Sequence, residues 1–151
     1  MAAHGPEAGA LEAGEHVLPL RVYYEDTDFT GVVYHAAYLR FFERGRTEHL
    51  RALGVGHAAL FGRPDPCAFA VTKIAVAFRR AARIDDALSV RTRFAQGGRV
   101  RLAAAQRILR GAELVAEAEV EIVCIRPGGG PRRVPPDVAE RLASAVPLPT
   151  P

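Results

Sequence analysis

Residues 21–51 read RVYYEDTDFTGVVYHAAYLRFFERGRTEHLR, and this stretch decides the fold. It opens as a strand, breaks at the turn-forming run EDTDFTG, and continues from His35 or Ala36 in a helical pattern. Apolar side chains recur at three- and four-residue steps around much of the helix, which predicts a helix largely surrounded by protein. We expect Gly54 to end it, and Gly45 inside it indicates that another backbone packs close there.

Four segments with period-two alternation follow this helix, at residues 68–80, 87–96, 99–110 and 112–125. A polar, solvent-exposed face on each segment is typical of an antiparallel sheet. In the first segment we expect Ala70, Ile74, Val76 and Phe78 to share the apolar face. Together with the strand that begins at Val17, they predict an α+β domain in which a five-stranded antiparallel sheet wraps around one long central helix. Such a sheet leaves an edge strand exposed, so we expect two copies to pair edge to edge as a homodimer.

The rest of the chain sets the domain boundaries and excludes some functions. Residues 1–16 are mostly Ala, Gly and Glu with nothing to bury, and they are expected to be a disordered leader. They have neither the basic nor the apolar region of a signal peptide. The domain is expected at 17–126, followed at 127–151 by a loop, a short helix and a Pro-rich tail. The one lysine and 19 arginines are spread over every segment, so no nucleic-acid surface is expected. We expect a cytoplasmic protein.

The turn before the helix has two aspartates, and a metal is the first possibility to test. Asp26, Thr27, Asp28 and Gly31 match the opening of a calcium loop. The twelfth position, where a bidentate glutamate is required, is Ala37, so calcium is rejected. The histidines, His35, His49 and His57, do not have the spacing of a zinc or iron site. No metal is expected.

Two interpretations of the turn stay open on spacing alone. In the first, Asp26 or Asp28 is an ordinary cap that accepts hydrogen bonds from the helix N-terminus. In the second, a carboxylate lies beside free N–H groups around Val33 to His35, where one group can activate a nucleophile and the other can stabilise a charged oxygen. The second arrangement suits acyl transfer.

The same residues resemble the signature of hotdog-fold acyl-CoA thioesterases of the 4-hydroxybenzoyl-CoA thioesterase type. Within that family they are most similar to the Tol-Pal-associated bacterial acyl-CoA thioesterase subgroup. The shared pattern is YxEDTDxxGVVYHxxY followed by FxERxRTE, at residues 23–38 and 41–48. The similarity continues more weakly through the strands and covers residues 18–126.

This resemblance implies the hotdog fold and hydrolysis of an acyl-CoA thioester. It assigns Asp28 as the catalytic carboxylate, either as nucleophile or as general base on water. It assigns the backbone N–H of His35 to polarising the thioester carbonyl, with Gly31, Val33 and Tyr34 shaping that wall, and leaves Asp26 as a turn carboxylate. The site is expected between two subunits, and pairing of dimers into tetramers is a further expectation.

Coenzyme A enters as part of the substrate, and no separate cofactor is expected. Arg99 and Arg101 are candidates for its phosphates by resemblance, and Arg79, Arg80 and Arg83 form a second basic cluster. The resemblance also raises contact with an acyl carrier protein or with the Tol-Pal system. Phe29 stands where the subgroup has small residues, so acyl-chain preference does not carry over.

Two rival functions remain. A hotdog hydratase or dehydratase acting on enoyl or hydroxyacyl thioesters would need Asp28 and the His35 ring to work on one water. A non-catalytic protein that binds acyl thioesters or an envelope complex would need no turnover at all.

Overall fold

The computed structural model describes residues 4–144. Their elements in chain order are β1 Ala10–Glu12, β2 Glu15–Arg21, a 3-10 turn at Tyr24–Asp26, α1 Ala37–Ala52, α2 His57–Phe61, β3 Ala68–Phe78, β4 Ala87–Gln96, β5 Arg101–Arg110, β6 Glu113–Ile125 and α3 Pro136–Ser144.

All six strands form one antiparallel sheet in the order β1-β2-β4-β5-β6-β3. Helix α1 packs against the sheet, and Phe41 and Phe42 on it are fully buried. The predicted α+β architecture is confirmed, with six strands where five were expected. The additional strand, β1, turns back onto β2 at Ala13 and Gly14, whose φ angles of 51° and 79° fit a two-residue hairpin of the type that matches strand twist.

Residues 10–16, expected in a disordered leader, lie instead in the sheet. Glu15 is buried and accepts hydrogen bonds from Arg91 at 2.9 Å, Arg93 at 3.3 Å and Arg107 at 3.2 Å. His16 is fully buried, with Nε2 donating to the Ala8 carbonyl at 3.0 Å. The order of this segment cannot be recognised from its composition, because its buried glutamate is neutralised by three arginines that belong to two later strands.

The packed domain also extends past the predicted boundary at residue 126. Helix α3 buries Val138 and Leu142 against the core. Arg63 forms two hydrogen bonds to the Asp137 carboxylate, at 2.9 and 2.7 Å, and Arg141 donates to the Leu53 carbonyl at 2.9 Å. The predicted short terminal helix is present, whereas the Pro-rich end of the tail lies outside the described residues.

Helix α1 begins one to two residues later than expected and ends where expected. Gly54 follows its last turn with φ at 75°, the left-handed conformation that glycine adopts at helix ends. Gly45 faces the sheet, as its position indicated, but its neighbours are side chains and not a backbone. A Cβ at residue 45 would lie 2.7 Å from Val90 Cγ1, 2.8 Å from Thr92 Oγ1 and 3.1 Å from Gln106 Nε2.

Strand β3 differs from its predicted pattern because of a bulge. Val71 pairs with Ile122 and Lys73 with Glu121, which leaves Thr72 as the extra residue. The bulge moves Phe69 and Val71 to the helix side of the sheet, with Ile74, Val76 and Phe78. Ala70 therefore belongs to the opposite face, since uninterrupted alternation does not hold across Thr72.

The close contact at Gly45 predicts a loss of stability in Gly45→Ala. The new methyl group must displace Val90 and Thr92, and the resulting strain exceeds the roughly 1 kcal/mol that alanine adds to helix stability. We expect a net loss of about 1–2 kcal/mol in the free energy of unfolding, measured by urea denaturation. The control is Gly56→Ala, where the nearest atom to the new Cβ is 3.8 Å away. Equal stability of Gly45→Ala and the parent would contradict this packing.

Candidate active site

The turn before α1 is a tight hairpin built on backbone hydrogen bonds. Asp28 N donates to the Val32 carbonyl at 2.9 Å, and Gly31 N donates to the Asp28 carbonyl at 3.0 Å. Gly31 has φ at 83°, which explains the glycine. Apart from Gly31 and its chain neighbours, no heavy atom of the described residues lies within 4 Å of where a Gly31 Cβ would be, so there is open space beside this turn.

The Asp28 carboxylate is solvent-accessible, and one of its two oxygens accepts hydrogen bonds. Its Oδ1 accepts hydrogen bonds from the Thr30 hydroxyl at 2.5 Å and from the Thr30 N–H at 2.8 Å. These two bonds, with smaller effects from the Val32 backbone and the His35 charge, hold the pKa of Asp28 below its usual value. Asp28 is therefore ionised at neutral pH. Its other oxygen, Oδ2, has no hydrogen-bond partner within residues 4–144.

Asp26 has a different position and supports the turn. It is buried, its Oδ2 accepts from the Tyr23 N–H at 2.8 Å, and its carbonyl accepts from the Tyr34 N–H at 2.9 Å. This geometry agrees with a turn carboxylate. Neither aspartate caps α1 with its side chain, since the helix has no side-chain cap and no acidic residue in its first turn. The capping interpretation of the turn is wrong.

The donors at the helix N-terminus are fewer than the sequence suggested. Val33 N donates to the Ala82 carbonyl at 2.8 Å, and Tyr34 N is occupied by Asp26. The next donor, the N–H of His35, has no acceptor among the described residues. The predicted group of free donors from Val33 to His35 thus reduces to His35, directly before a helix whose positive end is uncapped.

A cleft of about 360 Å³ opens beside His35. Its wall includes Tyr38 and Phe78, whose rings are 5.4 Å apart, and the His35 ring lies 6.5 Å from that of Phe78. Arg79 and Arg80 stand at the same cleft because both backbone N–H groups donate to the Val115 carbonyl, at 2.8 and 3.1 Å, as β3 ends.

The two arginine groups named from sequence occupy opposite ends of the sheet. Strand β4 starts beside the Asp28 turn, where Asp86 accepts from Val22, and runs for ten residues to Gln96. Arg99 and Arg101 follow it, about 30 Å along the strand direction from the turn. Within one subunit the structure brings Arg79 and Arg80 to the cleft and does not bring Arg99 and Arg101 there.

Other features of the described residues complete the site. No three His, Cys, Asp or Glu side chains between residues 4 and 144 are grouped as metal ligands. In the same range, none of the helices has the length and apolarity to cross a membrane. Thr30 was not identified from sequence, although a hydroxyl two residues after an aspartate is a frequent turn partner of its carboxylate.

Comparison with known proteins identifies the family of the chain. The model of the thioesterase-like superfamily matches residues 22–142. "Acyl-CoA thioesterase YbgC" of Haemophilus influenzae is 42% identical over 107 residues, which cover 71% of this chain and 78% of that protein. "Acyl-CoA thioester hydrolase YbgC" of Escherichia coli is 44% identical over 110 residues, covering 72% and 81%. A probable thioesterase from Bartonella henselae superposes with a TM-score of 0.77 at 42% identity, covering 80% of this chain and 99% of that one.

The chain therefore belongs to the thioesterase-like superfamily. The resemblance inferred from residues 21–55 and the predicted hotdog fold are both confirmed.

The bonds at Asp28 predict the effect of Thr30→Val. The variant keeps the Thr30 N–H but removes the hydroxyl that donates to Oδ1, so the pKa of Asp28 should rise toward its ordinary value. The protonated form of Asp28 would then persist to higher pH. A ¹³C NMR titration of the Asp28 carboxyl measures the pKa directly. An unchanged titration curve would show that the Thr30 hydroxyl does not act on Asp28.

Proposed function

We propose that this protein hydrolyses acyl-CoA thioesters, with Asp28 and the His35 N–H as its catalytic groups. One observation supports the proposal: the same short turn carries the ionised Asp28 carboxylate, whose Oδ1 alone is hydrogen-bonded among the described residues, and the unpaired N–H of His35, whose side chain is near enough to affect the pKa of Asp28. Membership of the thioesterase-like superfamily supports the reaction type, and the printed names of the Haemophilus influenzae and Escherichia coli relatives support CoA as the thiol.

In this mechanism the thioester carbonyl oxygen accepts a hydrogen bond from His35 N–H. The helix dipole behind that donor favours the negative charge that develops on the oxygen in the transition state. Asp28 acts in one of two ways. As a nucleophile it attacks the carbonyl carbon, expels the CoA thiolate and leaves an anhydride that water then cleaves. As a general base it takes a proton from the water that attacks.

Both routes need an ionised Asp28, which its lowered pKa provides. The two routes differ in how strong a base the Asp28 carboxylate has to be. A carboxylate with a depressed pKa is a weaker proton acceptor but remains fully available for direct attack at neutral pH. The hydrogen bonds from Thr30 leave Oδ2 as the oxygen that reacts.

The proposal includes a homodimer formed through β3, the long free edge of the sheet. Phe78, which lines the cleft, is 51% exposed in the single chain, and Tyr34, whose ring contacts that of His35, is 46% exposed. Antiparallel pairing of β3 with its copy places the end of one strand, at Phe78, beside the start of the other, at Ala68. The partner then covers the exposed aromatic residues and closes one side of the cleft.

The same pairing predicts where the two groups of arginines lie relative to the cleft. Arg79 and Arg80 lie at the cleft of their own subunit. Arg99 and Arg101 lie at the Ala68 end of the sheet, because β5 begins beside β6 where β3 begins. In the dimer, Arg99 and Arg101 of the partner subunit approach the cleft from the other side. We propose that both groups contact the phosphates of CoA. A cytoplasmic location, tetramers and contacts with an acyl carrier protein or the Tol-Pal system stay predictions.

Asp28→Asn should reduce kcat for acyl-CoA hydrolysis by at least about a hundredfold, because the amide neither attacks nor takes a proton. Release of free thiol from a panel of acyl-CoAs measures the rate. The matched control is Asp85→Asn, since Asp85 has φ at 69°, a conformation that asparagine tolerates. Retention of most activity in Asp28→Asn, with the parent fully active, would remove Asp28 from the mechanism.

The same panel separates the rival functions. Crotonyl-CoA should lose its thioester bond without prior hydration of its double bond. Hydration faster than thiol release would instead favour the hydratase, and binding of acyl-CoA with no thiol release from any member would favour the non-catalytic protein.

The proposed pairing also predicts the mass in solution. Light scattering should give at least twice the 16.3 kDa of one chain for the parent and for Asp28→Asn. A monomer at micromolar concentration would contradict pairing through β3.

A further inference from the structure

Buried polar atoms without a partner lie together between the start of β2 and the second half of α1. Within residues 4–144, four buried side-chain atoms have no hydrogen-bond partner: His16 Nδ1, Glu48 Oε2 and both ring nitrogens of His49. The two rings stack with their centroids 5.8 Å apart, and they are 0% and 1% exposed. Because an unsatisfied buried polar group costs free energy, this cluster destabilises the packing around it.

The N-terminal residues cover this cluster. His16 Nε2 donates to the Ala8 carbonyl at 3.0 Å, which leaves Nδ1 as an unprotonated nitrogen without a donor. Gly9 packs against the same ring, since a Cβ at residue 9 would be 2.8 Å from His16 Cε1. Strand β1 then pairs with residues 15–17 of β2. We call residues 8–14, which cover His16 through these few contacts, the N-terminal flap.

The side chains around the pair do not stabilise a proton on either ring. Glu48 and the Ala8 carbonyl favour a proton on His16, but burial outweighs them and lowers the pKa of His16. Burial, followed by repulsion from a charged His16, lowers the pKa of His49 to about 4. The neighbouring polar and charged side chains are Glu48 and Arg46 on α1, Thr92 on β4, Gln106 on β5, which accepts from Arg46 at 2.9 Å, and the exposed Glu12 on β1.

We propose that the His16–His49 pair is an acid-sensitive latch for the N-terminal flap. At neutral pH both rings are uncharged, and the flap stays closed over them. As the pH falls, the open form takes up protons that the closed form does not bind, so the flap is released. Release frees the backbone of residues 15–17 at the edge of β2 to bind water or another chain. This inference does not depend on the reaction that the protein catalyses.

The direction of the pH dependence follows from proton binding. Both rings have pKa values below the usual 6.5 while they are covered, and water restores the usual value when the flap opens. The open form therefore binds more protons below pH 6.5. Each histidine that becomes protonated on opening can raise the opening constant by up to about tenfold per pH unit.

The buried Glu15 contributes little above about pH 5. Burial alone would raise its pKa, but the hydrogen bonds from Arg91 and Arg107 outweigh burial and hold the pKa below 4.5. Its carboxylate lies on the opposite face of β2 from the His16 ring, because side chains alternate along a strand. The pH range just below 6.5 therefore isolates the effect of the histidines.

Hydrogen exchange of the full chain, followed by mass spectrometry at pH 7, 6 and 5, tests the latch. Exchange of residues 8–17, divided by the intrinsic rate at each pH, should rise from pH 6 to 5 by up to about tenfold for one histidine and about a hundredfold for two. Low concentrations of urea should change this exchange little, whereas the amides of β5 should respond steeply. Exchange that matches β5 in rate and urea dependence would show that the flap opens only with the whole domain, and would overturn the proposal.

Two substitutions remove the titrating groups and keep their packing. His16→Gln retains a side-chain N–H for the Ala8 carbonyl, and His49→Phe retains a ring against Phe94. Neither new side chain takes up a proton, so the double variant should show the same relative exchange of residues 8–17 at pH 6 and 5. His57→Gln, which changes an exposed histidine, is the matched control and should keep the parental pH dependence. Parental pH dependence in the double variant would overturn the latch.

A titration of the parent decides the matter where the double variant does not fold. The ¹⁵N NMR signals of the His16 and His49 rings should report neutral imidazoles in the closed protein at pH 6. A charged ring at pH 6, in molecules whose residues 8–17 remain protected from exchange, would overturn the proposal.

Discussion

The close packing of α1 against the sheet is the constraint on which the site depends. Gly45 allows the helix to approach Val90 and Thr92, and Gln106 secures it by donating from Nε2 to the Phe42 carbonyl at 2.8 Å. A helix fixed at its middle has little freedom at its start. The position of the His35 donor relative to the turn is thus determined by contacts about ten residues along the helix.

The turn is held in place by backbone bonds that also determine its chemistry. The Ala82 carbonyl accepts from Val33, and that of Asp26 accepts from Tyr34, so one donor holds the turn to the connection between β3 and β4 and the other holds the turn together. The next donor, the N–H of His35, has no acceptor among the described residues. The two aspartates divide their tasks in a similar way, since buried Asp26 stabilises the loop while Asp28 keeps one oxygen accessible.

Burial inside this domain leaves some polar groups unsatisfied. His16 and His49 stack with ring centroids 5.8 Å apart, and neither ring nitrogen of His49 has a hydrogen-bond partner in the described part of the protein. Burial, with the nearby His16, lowers the pKa of His49 to about 4. Burial also lowers the pKa of His16, so both rings are neutral at physiological pH, and His49 serves as an aromatic core residue against Phe94.

The main elements could be predicted because their signals are local. Alternation located β3 to β6 within a few residues, and the run around Asp28 located the candidate site. The remainder depends on distant partners. Three arginines pair with the buried Glu15, the Ala82 carbonyl occupies the Val33 donor, and a bulge at Thr72 changes which of the residues before it face the helix. None of these effects leaves a trace in the segment where it acts.

The short strand β1 limits how far the sheet can grow. Its three residues cover part of β2 and offer few free backbone groups, whereas β3 offers eleven residues on the opposite side. A sheet with one long and one short edge strand can pair with a copy of itself once. The long edge of each copy is then occupied by the other. The proposed pairing through β3 would therefore be self-terminating and would yield a closed assembly instead of a fibre.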